Sequence, residues 1–249
     1  MNLTDFVWQF ILTAIVSYLI GNINSAVIIS KRFKHQDIRQ QGSKNPGTTN
    51  MMRVFGIKMG AITLVCDMIK GIIPVLLSGV IFNAISNGNE EVFRFAMYLS
   101  AFSVTVGHVF PVFMGFKGGK GFATSVGIML VIQPLPTVII IVIGLVILLL
   151  CDRMSVFALF YVTAELLYHI LSFVGVFGTL SNVTNPITLP MLIVVGLFWV
   201  LLVFAHRSNI SRLIQGKESP SGLRKGLFGK KDSKKQPSDK NDFKSNDVE

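Results

Sequence analysis

Three polar runs in this chain set glycines, amide and hydroxyl side chains and a few cations between long apolar stretches. The first is Gly42-Ser43-Lys44-Asn45-Pro46-Gly47-Thr48-Thr49-Asn50-Met51-Met52-Arg53. Gly115-Phe116-Lys117-Gly118-Gly119-Lys120-Gly121 follows, and then His206-Arg207-Ser208-Asn209-Ile210-Ser211-Arg212. Glycine lets a backbone curl until successive N–H groups face one anion, and a helix opening just after adds its positive end. That is phosphate chemistry. In the first run Gly42, Ser43, Asn45, Thr49 and Asn50 are the phosphate-binding candidates. Arg53 falls on the helix the loop would open and can add a forked contact. A plain interhelical turn, with Arg53 as a topology charge, would explain the same residues.

The second run offers Lys117, Gly118, Gly119, Lys120 and Gly121 just before a short helix. It is not a Walker A loop: the spacing is G-x-x-x-G-K-G, and Gly121 stands where Ser or Thr would hold magnesium. Lys120 at a helix N-terminus can meet an anion that the dipole already favours. The alternative is a loop whose lysines only enforce topology. In the third run His206, Asn209 and Leu213 share a helical face at i, i+3 and i+7, with Arg212 beside it and Glu218 just beyond. A lone histidine at a membrane boundary is commonly interfacial, but Asn209 on the same face points to a polar site. None of the four histidines begins a His-x-x-x-x-Asp dyad, and G-x-S-x-G is absent. No His/Cys/Asp/Glu clustering implies a metal, and nothing implies a cofactor.

The elements that carry these runs are membrane helices. Of 249 residues 51% are hydrophobic and only 14% charged, against about 25% charged in a soluble domain. Mean hydropathy is +0.60. Runs free of Asp, Glu, Lys and Arg cover Phe6–Ser30, Gly71–Asn89, Phe95–Phe116, Gly121–Cys151 and Leu166–Ala205. A crossing needs about 20 such residues. The first run lacks a basic leader and has Asn22 and Asn24 where a small-residue cleavage site would be sought, so it reads as a span, not a signal peptide. Gln133-Pro134-Leu135-Pro136 breaks the fourth run and Thr179–Pro186 splits the last. The expected fold is all-α and polytopic, with seven helices near 4–30, 57–86, 92–114, 121–132, 136–151, 154–178 and 187–205. A version with the segments around Gln133–Pro136 re-entrant keeps the same parity.

With the N-terminus outside, inner loops carry Lys31, Arg32, Lys34, Arg39, Lys44, Arg53, Lys58, Lys117, Lys120 and Arg153, and the outer loops only Arg94 beside Glu90 and Glu91. That is the positive-inside asymmetry, so the orientation is N-out, C-in, with all three polar runs on the inner side. Residues 1–218 form the membrane domain. Residues 219–249 read as a disordered basic tail, polar and poor in large apolar residues, suited to anionic lipid. Nucleic acid is not a partner, since Phe228 and Phe243 are the tail's only aromatics. Cys66 and Cys151 lie in or beside apolar segments and imply no disulfide. Within the membrane, Asp67 and Lys70 (i, i+3) and Glu165 and His169 (i, i+4) can pair and lock helices together.

Taken together, these motifs resemble the bacterial acyl-phosphate:glycerol-3-phosphate acyltransferase family. Tyr18-Leu19-Ile20-Gly21-Asn22-Ile23-Asn24-Ser25 is similar to that family's YLxGSIP-type segment, and Gly42–Arg53 to its GSxNxGxTNxxR pattern. Gly107-His108-Val109-Phe110-Pro111 with Phe116–Thr124 resembles GHxFPxxxxFKGGKGxAT, and His206–Leu213 resembles HRxNIxRL. Asn22, Asn24 and Lys44-Asn45-Pro46 depart from the usual residues, and the long tail is extra. The resemblance runs from about residue 15 to 218. It implies seven helices in a bacterial cytoplasmic membrane, motifs facing the cytoplasm, and acyl transfer from acyl phosphate to the 1-hydroxyl of glycerol 3-phosphate, giving lysophosphatidic acid. It also implies Ser43, Arg53, Lys120, His206 and Asn209 as catalytic residues, with Glu218 as an anchor. A transporter for an anionic solute and a non-catalytic lipid-binding scaffold are the competing readings; the first requires a path open alternately to both sides.

Overall fold

The structure is a computed structural model that describes residues 1–176 and 187–221. Among these residues all regular structure is helical. Ten α-helices follow in order: α1 Val7–Gly21, α2 Ser25–Lys34, α3 Thr48–Phe55, α4 Ile57–Ile85, α5 Glu90–Val109, α6 Phe122–Ile132, α7 Pro134–Cys151, α8 Met154–Phe173, α9 Leu189–Ala205 and α10 Arg207–Ile214. Five stretches are long and apolar enough to cross a membrane: Leu3–Lys34, α4, a stretch Glu90–Met114 built on α5, α7 and α8. Counting α9 and α10 as one span bent by 57° makes six. At about 1.5 Å per residue, α6 covers roughly 16 Å, about half a hydrocarbon core. The expected loop at Thr179–Pro186 and the tail from 222 onward lie outside the described residues.

The outer surface is lined by large aliphatic side chains such as Ile11, Ile15, Val142 and Leu150, all exposed because the solvent there is lipid. Central α5 packs against α1, α4 and α9. Its approach to α1 is closest at Gly107 and Gly21, where an added Cβ on either would collide with the other helix's backbone carbonyl, Tyr18 or Val104. With lipid as solvent, such close packing of small residues holds helices together. Ser17 and Ser100 reinforce it with a buried hydroxyl pair at 2.9 Å.

The first helix is broken, contrary to the single segment expected over 4–30. Asn22 and Asn24 interrupt it: Asn24 caps α2 by accepting from the Val27 N–H at 3.0 Å, while the Asn22 amide donates to the Tyr18 carbonyl. The break leaves the Ile23 carbonyl without a helical partner, and Lys70 Nζ from α4 donates to it at 2.8 Å. Asp67 neutralises that lysine at 2.9 Å, and His108 Nδ1 accepts from it at 2.6 Å. The anticipated Asp67–Lys70 pair therefore exists, and its work is to satisfy irregular backbone inside lipid.

The expected pairing of Glu165 with His169 is corrected. The Glu165 carboxylate turns to the α6–α7 break, accepting from the Gln133 amide and, at 3.0 Å, from the Thr137 hydroxyl. His169 Nδ1 instead donates to the Glu165 backbone carbonyl at 2.7 Å, and Tyr98 Oη meets Nε2 at 3.0 Å. A carboxylate is drawn to the donors that a helix break exposes, and spacing alone does not reveal them. Cys66 is half-buried and Cys151 exposed, both free.

Replacing Gly107 by valine should cost about 1–3 kcal/mol, because a backbone carbonyl cannot swing aside as a side chain can. Thermal melting in detergent checks this. An unchanged melting temperature would show that α1 and α5 do not meet there.

Candidate functional site

The first polar loop is shaped by one buried side chain. Asn50, in the first turn of α3, accepts from the Ser43 N–H at 2.9 Å and donates to the Gln41 carbonyl at 3.0 Å. Gly42 passes so close that a Cβ would strike the Asn50 carboxamide, and its φ of +55° suits glycine. Asn50 thus braces the loop with its side chain, which corrects its placement among direct phosphate ligands. The α3 helix opens on Gly47 with no side-chain cap, so its first-turn amides lack intrahelical acceptors. Thr48 Oγ1 beside them is buried and unpartnered. Together they form a donor set turned toward one cavity.

The glycines of the second loop have a different job from the one expected. The Gly118 and Gly119 N–H groups donate to the Val109 and His108 carbonyls, each at 3.1 Å. A Cβ at Gly119 would collide with the His108 ring, and one at Gly118 with the His108 carbonyl oxygen. These residues are glycine because the loop lies directly on the end of α5, so their amides are not the phosphate donors anticipated. Gly121, with φ +79°, turns the chain into α6. The result delivers Lys120 to the cavity wall. Lys117 points elsewhere, into an adjoining cavity.

The third run wraps the break between α9 and α10. His206 stands at that break, buried, and its Nδ1 donates to the Leu202 carbonyl at 2.8 Å, which leaves Nε2 as the ring's acceptor. Burial pulls its pKa well below the ordinary histidine value, outweighing the backbone hydrogen bond, so the ring is neutral. Asn209 links the loops: its carboxamide oxygen accepts from Lys120 Nζ, while its NH2 donates to Glu218 Oε1 at 2.7 Å. Arg212 Nε closes the chain by donating to Glu218 Oε2 at 2.6 Å. Burial raises the Glu218 carboxyl, but these hydrogen bonds outweigh it and hold the pKa below its usual value. Glu218 is thus held by both Asn209 and Arg212. Arg53 reaches the same strap, its guanidinium 3.5 Å from the Pro220 carbonyl.

All three runs line one cavity of about 710 Å³. Its polar end carries Ser43, Asn45, Thr49, Arg53, Lys120, His206, Asn209, Arg212 and Glu218; its other wall is Ile57, Leu64, Leu145, Leu148 and Phe157. Asp67, first read as structural, also lines it, as does His108. His108 was not singled out as a site residue, although it sits in the Gly107–Pro111 motif. Among the described residues no His/Cys/Asp/Glu group is arranged to hold a metal. A cationic, amide-rich end joined to an apolar wall suits a ligand with an anionic head and a hydrocarbon tail.

Comparison with known proteins agrees. The family model described as glycerol-3-phosphate acyltransferase matches residues 11–216. The chain belongs to the glycerol-3-phosphate acyltransferase family. The glycerol-3-phosphate acyltransferase of Finegoldia magna is 34% identical over 216 residues, covering 85% of this chain and 96% of the relative. That of Clostridioides difficile is 35% identical over 225 residues, covering 88% and 98%. Among solved structures, PlsY (YgiH), an integral membrane glycerol 3-phosphate acyltransferase in its glycerol 3-phosphate form, superposes with a TM-score of 0.72 at 29% identity, covering 88% of this chain and 99% of that one. Its lysophosphatidic acid form gives 0.68 at 27% identity, covering 85% and 95%. As a member of this glycerol-3-phosphate acyltransferase family, the protein is a membrane-integral acyltransferase.

Lys120 carries a charge that depends on pH near neutrality. Burial, with Arg212 and Arg53 nearby, lowers its pKa to about 8 against the opposing pull of Glu218. Above that pH the amine is neutral. Affinity for inorganic phosphate should therefore fall as pH rises through about 8. In Glu218→Gln the fall should begin at lower pH, because the carboxylate that favours the ammonium is gone. Equilibrium dialysis across pH 6–9 checks both; a flat profile would contradict the role given to Lys120.

Proposed function

We propose that the protein transfers a fatty acyl group from acyl phosphate to the 1-hydroxyl of glycerol 3-phosphate, releasing lysophosphatidic acid and inorganic phosphate. The observation that carries this reading is one cavity with a cationic end from three loops and an apolar wall reaching lipid-facing Ile57 and Leu145. An acyl phosphate has that shape. The second substrate adds only another phosphate and hydroxyls.

In this reading Lys120 holds the phosphate of the acyl donor. Arg53, Ser43 and the open end of α3 hold a phosphate beside it. His206, through Nε2, and Asn209 orient the glycerol hydroxyls. The attacking oxygen bonds to the acyl carbon, and the carbonyl electrons move onto oxygen. Collapse of that oxyanion breaks the bond to phosphate, which leaves with its electron pair. The hydroxyl proton passes to an oxygen of the donor's phosphate. A neutral His206 with a depressed pKa is a weak base, whereas the donor's phosphate gains basicity as its bond to the acyl carbon breaks. The protein supplies positioning and charge stabilisation, and no residue acts as a dedicated base. Asp67 and Lys70 support the fold behind the site.

The charge asymmetry of the loops favours an N-terminus outside and a site at the cytoplasmic face of a bacterial inner membrane. No cofactor is needed, and the membrane lipid itself is the protein's other partner.

Purified protein in lipid vesicles, given labelled glycerol 3-phosphate with acyl phosphate or acyl-coenzyme A, should form lysophosphatidic acid only with the first. Turnover with the thioester alone would reject the donor assignment. His206→Ala should lower kcat by about 10- to 100-fold through lost orientation. Full activity in that variant would remove His206 from the mechanism.

A further inference from the structure

Beside the main cavity lies a second, of about 500 Å³, with no carboxylate among its described lining residues. Arg39, Lys44, Lys117, Lys120 and Arg212 all line it, and Pro46 is its one bulky apolar residue. Two of these cations are neutralised: Arg39 by Asp37 at 2.6 Å, and Arg212 by Glu218. Lys44 and Lys117 are exposed loop residues at the rim, with no ion pair among the described residues. The Lys44 backbone is fixed there in the left-handed region, φ +60°, its N–H donating to the Gln41 carbonyl at 2.9 Å. Ser43, Asn45, Lys120 and Arg212 line both cavities, so the two share a wall.

Resting on the reading given under Proposed function, we infer that this outer cavity is a separate station for a small, water-soluble phosphate monoester. Glycerol 3-phosphate docks there before it passes to the inner cavity. The chemistry of the walls selects the ligand class. Without an apolar wall the outer cavity cannot take an acyl chain, so the lipid substrate is excluded and only the soluble one fits. A concave surface of net positive charge concentrates anions and accelerates their capture, an effect that salt screens. Lys120, reached from both sides, is the hand-over point.

The test uses the full-length protein carrying Lys44→Gln together with Lys117→Gln. Both residues are solvent-exposed, and their loss leaves the fold intact. In phosphatidylcholine vesicles at low salt, kcat/KM for glycerol 3-phosphate should fall roughly tenfold. The gap to wild type should narrow at high salt, and KM for acyl phosphate should stay put. An unchanged kcat/KM for glycerol 3-phosphate, or a loss confined to acyl phosphate, would overturn the inference while leaving the donor assignment standing. A deficit seen only in vesicles rich in phosphatidylglycerol would also overturn it, by giving the lysines to lipid headgroups. Binding of labelled inorganic phosphate by equilibrium dialysis decides the matter without turnover. Weaker binding in the double variant supports the outer station even if wild type rejects acyl phosphate, and equal binding sinks it.

Discussion

A half-buried ammonium that ties two of the polar loops together is the interaction on which this site depends. Lys120 is drawn partly out of water, where its charge is disfavoured, and among the described residues no carboxylate touches it directly. Its partner is the neutral Asn209 carboxamide, which in turn leans on Glu218, itself bound by Arg212. The carboxylate stabilises the lysine from one residue away without quenching it. A direct Lys–Glu pair would neutralise the charge that an anionic ligand requires. The arrangement keeps a cation oriented yet available, and it binds the second loop to the third.

Holding that chain in register falls to helices whose solvent is lipid. Apolar side chains face outward, so contact between helices depends on close packing of small residues and on polar bonds inside. Gly21 against Gly107 fixes α1 on α5, and the end of α5 carries the bed on which Gly118 and Gly119 lie. Lys70 ties the broken first helix to α4 and to His108 in the same stroke. The scaffold and the site therefore share residues: His108 supports the lysine loop from below while facing the cavity.

What was legible in the sequence follows from how local each signal is. The break at Gln133–Pro136 was visible because proline acts on its own backbone. That at Asn22–Asn24 was not, since asparagine breaks a helix only when tertiary partners satisfy the exposed groups, here Lys70 donating to the Ile23 carbonyl. The three polar runs were legible as a set because glycine and charge are out of place between membrane helices. Their detailed roles were less so. A glycine that cradles phosphate and a glycine that admits a neighbouring ring leave the same letter, and Gly118 and Gly119 proved to be the second kind. Likewise Asn50 has the donors of a ligand residue, but uses them to shape the loop. Spacing suggested Glu165 with His169, yet the stronger donors lay across the bundle at Gln133 and Thr137. The acyl wall was invisible, because Leu64, Leu145 and Phe157 meet only in the folded bundle.

The account depends on two phosphate heads sharing one cavity at the membrane surface. An experimental structure in lipid, with glycerol 3-phosphate and a non-hydrolysable acyl phosphonate both bound, measures this directly. Two phosphorus atoms lying between Ser43, Arg53, Lys120 and His206, with the acyl chain along Leu64 and Phe157, is the predicted result. Either head bound away from these residues would contradict it.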